Sequence, residues 1–143
     1  MGITKERLET YRSEKQEIKE LKCKLQALKI QDYTGVDTIL DYRSGFPIPK
    51  AVVGTDIDSY WGYKEYLQSR ITGLTTRCQE VERWIEEIPD SQIRRIFRMY
   101  FIEGLSMGTV GKRTHLDKSS VSRKIEKFLK LQQMQQMQRY NKN

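Results

Sequence analysis

The clearest pattern in this sequence is a seven-residue repeat of apolar positions between residues 57 and 88. Its members follow one another at alternating spacings of four and three residues: Leu67, Ile71, Leu74, Cys78, Val81, Ile85 and Ile88. Such spacing places the side chains in one stripe along a helix, which is the seam of a coiled coil. Gly73 costs about 1 kcal/mol of helix propensity relative to alanine, too little to interrupt this helix. The pattern predicts a long helix over 57–88 whose stripe needs a partner.

Residues 4–30 predict a second helix that supplies this partner. The segment is rich in Glu, Lys, Leu and Gln and contains neither Gly nor Pro, which favours a helix. Its apolar stripe consists of Tyr11, Ile18, Leu21, Leu25 and Leu28. Glu14 interrupts the stripe and Leu8 lies off it. We expect an antiparallel coiled-coil hairpin within one chain, the alternative being a homodimer that associates through residues 57–88.

The connector between these helices, residues 31–55, has a different composition. Its glycines and prolines exclude a long helix, and Phe46–Pro49 is expected to be extended. A short helical turn is expected around Val36–Tyr42. Four aromatic residues then fall within the segment 60–66, which reads Tyr-Trp-Gly-Tyr-Lys-Glu-Tyr. The local charge is not basic, so we interpret them as packing on the connector, with a platform for stacking nucleic-acid bases as the alternative.

Three shorter helices are predicted after Pro89, over 91–103, 107–114 and 118–131. Asp90, Ser106 and Asp117 stand at the three N-cap positions, where a side-chain oxygen accepts a backbone N–H bond. Gly104 is expected to end the first of these helices. The predicted inward-facing residues of that helix are Ile93, Ile96, Phe97, Tyr100 and Phe101. The pattern predicts an all-α protein, with a hairpin domain over 1–88, a three-helix helix-turn-helix domain over 89–131 and a Gln/Met-rich tail over 132–143.

The basic charge lies in the same C-terminal segment. The chain has 143 residues and a formal net charge of +7. Residues 1–88 carry 14 Lys and Arg against 15 Asp and Glu, whereas residues 89–143 carry 12 against 4. A concentrated positive charge on a small helical unit is typical of a surface that binds the phosphates of a nucleic acid.

The residues expected to meet duplex DNA surround the start of the last helix. The N-terminal end of the second helix of such a motif is the part that reaches base edges in the major groove. Arg123 is predicted to contact guanine through two hydrogen bonds. The nearby serines are predicted to contact base edges or to position the helix on the DNA. The full predicted set is Lys118, Ser119, Ser120, Ser122, Arg123, Lys124, Lys127, Lys112 and Arg113. Lys112, Arg113, Lys124 and Lys127 are assigned to phosphates.

The segment 89–130 resembles region 4 of sigma-70-type factors and the related domain of phage late-gene transcription activators of the RinA and ArpU type. The resemblance is carried by Arg95-Ile96, Tyr100-Phe101, Glu103–Ser106, Val110-Gly111 and Leu116–Arg123. It implies that the last helix enters the major groove, with Lys118, Ser119, Ser120, Ser122 and Arg123 at the reading positions. The chain departs from the pattern in three places, because Gly111 replaces the usual Ala, Thr114 the following Leu and His115 the turn glycine.

Other chemistries find little support. Cys23, Cys78 and the single histidine, His115, are too few for a zinc site, and we expect two reduced thiols. His115 has no arranged nucleophile beside it, and the sequence contains no glycine-rich phosphate loop. No run of 18 apolar residues is present, so we expect a cytoplasmic protein that is not an enzyme, needs no cofactor and does not contact a membrane.

These features lead to one favoured function and two alternatives. The favoured function is a sequence-specific transcription regulator, encoded by a phage or mobile element, that binds double-stranded DNA at promoters. The coiled coil then serves oligomerisation or contact with RNA polymerase. The alternatives are a DNA-packaging protein similar to small terminase subunits and an adapter that binds RNA polymerase but not DNA.

Overall fold

The computed structural model describes residues 2–29, 40–41, 48–49 and 55–141, and this part of the chain is almost entirely helical. Its elements are α1 (Lys5–Ala27), β1 (Leu40–Asp41), β2 (Ile48–Pro49), α2 (Thr55–Glu86), α3 (Ser91–Phe97), which continues as a π-helix (Arg98–Ile102), α4 (Met107–Thr114) and α5 (Lys118–Asn141). The predicted all-α class is confirmed. The only exception in the described residues is the pair of two-residue strands β1 and β2.

These strands lie in the connector. They are antiparallel, with Leu40 opposite Pro49 and Asp41 opposite Ile48. The predicted helical turn around Val36–Tyr42 is therefore wrong at residues 40–41, and its other residues lie outside the described part. Ile48 and Pro49 are extended as expected, while Phe46 and Pro47 lie outside it. Proline has no backbone N–H to donate, which is consistent with so short a ladder.

The contacts divide the chain into two compact units at places that the helix pattern did not predict. The first unit comprises residues 1–15 and 76–143, and the second comprises residues 16–75. The start of α1 and the end of α2 thus belong with the C-terminal helices, whereas a boundary at 88/89 was predicted. Pro89 ends α2 locally, but a helix break does not determine which side chains share a core. In the Gln/Met-rich tail, α5 continues to Asn141, so prolongation of the last helix is observed in place of the alternative, a disordered tail.

Phe97 lies at the centre of the first unit and is 0% exposed. Its ring centroid lies 5.3 Å from that of Phe128 on α5, 5.3 Å from that of Phe101 and 5.8 Å from that of Trp84 on α2. The surrounding core contains Leu8, Tyr11, Cys78, Val81, Ile85, Ile88, Ile96, Val110, Val121 and Ile125. Leu8 is 1% exposed although it lies off the stripe of α1, because the C-terminal helices also cover this part of the helix.

The π-helical turn changes which side chains of the lead helix are buried. The backbone N–H of Glu103 donates to the carbonyl of Arg98 at 3.0 Å, a bond that spans five residues. The wider turn buries Met99 together with Phe101 and leaves Tyr100 only half-buried. Met99 was not among the predicted core residues, and Ile93, which was, is half-buried. Gly104 ends the turn with a φ of 73°, a conformation that favours glycine.

In the first unit, α1 and α2 run in opposite directions side by side. Arg7 pairs with Glu80 at 2.7 Å, and Glu14, further along α1, pairs with Arg77, earlier on α2, at 3.0 Å. The hydroxyl of Tyr11 donates to Glu82. Glu14 thus interrupts the apolar stripe but finds a cation across the helix pair.

In the second unit, the stripe of α2 is buried more completely than that of α1. Leu67 and Leu74 are 1% and 5% exposed, whereas Leu21, Leu25 and Leu28 of α1 are half-buried. Of the four aromatic residues, only Tyr60 is buried, and Trp61, Tyr63 and Tyr66 are 49%, 38% and 59% exposed. Tyr60 continues the α2 stripe and the other three do not. The predicted packing of the cluster on the connector stays a prediction, because most of residues 31–55 lie outside the described part of the chain.

Candidate nucleic-acid interface

Helix α4 begins and ends with side chains that bond to the backbone. The Oγ of Ser106 accepts from the N–H of Thr109 at 3.2 Å and lies 2.9 Å from the hydroxyl of Thr109. At the other end, the buried hydroxyl of Thr114 donates to the carbonyl of Val110 at 2.7 Å. The polar group of the buried Thr114 is therefore satisfied within the helix.

The turn after α4 depends on the residues at positions 111 and 115. His115 has φ 60° and ψ 38°, the left-handed conformation. Leu116 then lies so close to the helix that its N–H donates to the carbonyl of Gly111 at 2.8 Å. A Cβ atom on residue 111 would lie 2.5 Å from the carbonyl oxygen of Leu116. Glycine at 111 thus permits the close approach, and the histidine occupies the turn position that usually holds glycine.

We expect Gly111→Ala to destabilise the protein by a net of up to about 2 kcal/mol, because the added methyl meets a backbone oxygen that can move only with the turn, at a cost of about 1–3 kcal/mol. This loss opposes the gain in helix propensity of up to about 1 kcal/mol that alanine brings. Urea unfolding followed by circular dichroism measures the change.

The matched control is Gly108→Ala in the same helix. There the nearest heavy atom to the added Cβ is the Oγ of Ser106, at 4.0 Å, so this variant is expected to be neutral or slightly stabilised. A shift of both variants in the same direction would contradict the role assigned to Gly111.

Asp117 fixes the first turn of α5. Its Oδ1 accepts from the N–H of Ser120 at 2.7 Å. The pKa of the Asp117 carboxyl is lowered, first by the side-chain hydrogen bond from Ser120, next by the backbone N–H of Ser120 and then by the charge of Arg123. The cap is therefore ionised at neutral pH. Ser120, one of the predicted contact residues, is half-buried and is engaged in this cap.

The predicted contact residues lie around the exposed side of α4 and α5. Val121 and Ile125 are buried on the opposite side of α5. Ser122 and Lys124 are half-buried like Ser120, and the exposed members are Lys112, Arg113, Lys118, Ser119, Arg123 and Lys127. Ser119, Arg123 and Lys127 follow at spacings of four and so share one face. The Nε of Arg123 donates to the carbonyl of Ser119 at 3.3 Å, which lays the guanidinium along that face.

The four acidic residues of the C-terminal segment, Asp90, Glu103, Asp117 and Glu126, form no ion pair with these contact residues. Asp90 and Asp117 cap helices, Glu126 pairs with Lys5 and Glu103 is exposed. Within the described residues, none of the six basic side chains predicted to meet DNA lies within 4.0 Å of a carboxylate. Among the basic residues of α1 and α2, five do pair with glutamates, namely Lys5, Arg7, Lys15, Arg70 and Arg77.

The structure adds Arg95 to this basic surface. Its side chain is exposed, and its Nη2 donates to the carbonyl of Arg113 at 3.3 Å. The two neighbouring arginines of the lead helix have other partners, since Arg94 donates to the carbonyl of Ile88 and Arg98 pairs with Glu86. From the sequence, Arg94, Arg95 and Arg98 could not be distinguished, because each lies outside the apolar face.

The described residues offer no other evident site. They contain no group of three or more His, Cys, Asp or Glu side chains that could hold a metal ion, and no helix in this part of the chain combines the length and the apolar character needed to cross a membrane. Cys23 is exposed and Cys78 is buried, and both are free thiols as expected. Burial raises the pKa of the Cys78 thiol.

Comparison with known proteins gave no match: no family model fits the chain, and neither the curated proteins nor the solved structures contain a similar one.

Proposed function

We propose that this protein is a sequence-specific DNA-binding transcription regulator in which α4, the His115 turn and α5 act as a helix-turn-helix. The observation that carries the proposal is the set of six basic side chains on α4 and α5 that have no carboxylate within 4.0 Å among the described residues. Unpaired cations gathered on one small unit favour the binding of a polyanion, because phosphates can replace their solvent without first breaking ion pairs.

The arrangement of α5 supports duplex DNA as that polyanion. A helix fits the major groove, where each base pair presents a distinct pattern of donors and acceptors. Ser119 and Arg123 lie on the exposed face of α5 near its start, and Arg123 is the residue suited to a two-bond contact with guanine. Lys112, Arg113, Lys124 and Lys127 then bind flanking phosphates and set the register.

We propose that α1 and α2 form an intramolecular antiparallel hairpin that serves contact with RNA polymerase or with another subunit. The crossed pairs Arg7–Glu80 and Glu14–Arg77 support the antiparallel direction. Leu67 and Leu74 are already covered within one chain, which favours a hairpin over a homodimer that uses the same stripe.

Selection of bound duplexes from a random DNA library at near-physiological salt tests the function. An enriched motif is the expected result, and its symmetry reports how many copies bind. Salt-sensitive binding without a motif would favour the packaging function instead. If the protein binds no duplex even at low salt, the proposal is wrong and the RNA polymerase adapter becomes the better explanation.

Two substitutions on the exposed face of α5 distinguish a residue that recognises a base from one that binds a phosphate. Arg123→Ala is expected to cost about 1–3 kcal/mol on the selected site and to relax the preference at one base pair. Lys127→Ala is expected to weaken binding equally on all sequences. Titration of both variants against the selected site and a scrambled duplex measures the difference. Equal losses for Arg123→Ala on both duplexes, or a changed base preference in Lys127→Ala, would contradict the assignments.

A further inference from the structure

The first turn of α1 contacts α5 at its one acidic residue. The Nζ of Lys5 lies 3.0 Å from the Oε1 of Glu126. No other Asp or Glu occurs between Lys118 and Asn141. Glu126 follows Ser119, Ser122 and Arg123 by seven, four and three residues, so it lies on the same side of the helix as the predicted DNA contacts.

A carboxylate at this position repels the phosphates that the basic residues of the same surface attract. Phosphates that approach Ser119 and Arg123 also approach Glu126, and like charges repel over about 10 Å at ordinary salt. Among the described residues, the cation that lies beside Glu126 is Lys5. Lys5 has a second, more distant carboxylate neighbour, Glu9, at 4.0 Å. The pair thus joins a residue from the start of the chain to a helix 121 residues later in the sequence.

The backbone on both sides of Lys5 is held in place. Thr4 caps α1 by accepting from the N–H of Arg7 at 3.2 Å. Ile3 and Leu8 are 8% and 1% exposed. The lysine lies in the first turn of the helix, where the helix dipole disfavours a cation. Within α1 the lysine has only the longer pair with Glu9, at 4.0 Å, to set against this effect, whereas the carboxylate of Glu126 lies 3.0 Å away.

We propose that Lys5 is a positioning residue of the DNA-binding surface, which neutralises Glu126 and thereby keeps the exposed face of α5 compatible with phosphates. The inference rests on the proposed DNA-binding function and extends the interface to the N-terminal helix. Lys5 acts through Glu126, so its removal matters only while the carboxylate is present.

A double-mutant cycle tests this inference. The probe is a fluorescent mixed-sequence duplex of about 20 base pairs, two helical turns, titrated at about 0.05 M salt, where exposed charges are less screened. The proteins are the wild type, Lys5→Ala, Glu126→Gln and the double variant. Lys22→Ala, made both in the wild-type and in the Glu126→Gln background, is the matched control, because it removes the same charge from an exposed position of α1.

In the wild-type background, Lys5→Ala is expected to weaken binding about 2- to 5-fold more than Lys22→Ala does. In the Glu126→Gln background, the two lysine variants are expected to be equivalent. The same loss from Lys5→Ala in both backgrounds would overturn the inference, since Lys5 would then act on DNA directly. Equivalence of the two lysine variants in the wild-type background would overturn it as well.

Thermal melting of each variant and titration of the wild type distinguish these outcomes from unfolding and from failure of the proposed function. Thermal melting shows whether each variant remains folded, and exposed ion pairs contribute little to stability. If the wild type itself fails to bind the duplex, the proposed function fails and the inference with it. If the wild type binds and the cycle is additive, only the inference about Lys5 fails.

Discussion

Phe97→Ala is expected to lower the stability of the protein by about 3–5 kcal/mol, the usual cost of removing a fully buried ring. The side chain is 0% exposed and contacts rings from α2, from the π-helical turn and from α5. Its loss leaves a cavity that cannot close without moving three helices. For a chain of this size the melting temperature should fall by about 12–20 °C, which calorimetry or circular dichroism detects.

Tyr140→Ala is the matched control for that experiment. It removes an aromatic ring that is 85% exposed near the end of α5. Surface substitutions of this kind usually change stability by less than about 0.5 kcal/mol. A Phe97→Ala protein that melts within about a degree of the Tyr140→Ala protein would contradict the placement of Phe97 at the centre of the core.

The second large effect is the expected dependence of DNA affinity on salt concentration. If Lys112, Arg113, Lys124 and Lys127 each neutralise one phosphate, the logarithm of the binding constant should fall against the logarithm of salt concentration with a slope of about −3.6. Affinity should then decrease about 150-fold between about 50 and 200 mM salt. Binding isotherms on one duplex across that range measure the slope.

The variant Lys112→Gln with Lys127→Gln provides the comparison. Two fewer phosphate contacts should reduce the slope by about 2 without altering base preference. An unchanged slope in this variant would show that these lysines do not contact phosphates. A slope near −1 in the wild type would contradict the interface as a whole.

The features of this fold that depend on residues close to one another in the sequence, such as helix ends, could be predicted. Helix α4 was predicted over 107–114 and extends from Met107 to Thr114. Asp90, Ser106 and Asp117 were predicted to cap helices, and each accepts the expected backbone N–H. A cap joins a side chain to the backbone three residues later, so the information lies within one turn.

The parts that depend on tertiary packing could not be predicted in the same way. The burial of Leu8 and Met99 follows from contacts with distant helices and from the π-helical turn at Arg98–Ile102. Neither has a signal in the local spacing of apolar residues. At the interface, the basic residues could be named in advance, but the selection of Arg95 among three arginines required the position of the Arg113 carbonyl. The DNA-binding role of these residues stays a prediction.

The division of α1 and α2 between two units has a consequence for the order in which the fold forms. Residues 1–15 pack against groups that lie after residue 75. Closing a loop over about 60 intervening residues costs about 4 kcal/mol of chain entropy, which these long-range contacts must offset. The burial of Leu8 and Tyr11 is therefore expected to be a late step of folding, because it requires the segment beyond residue 75 to be in place.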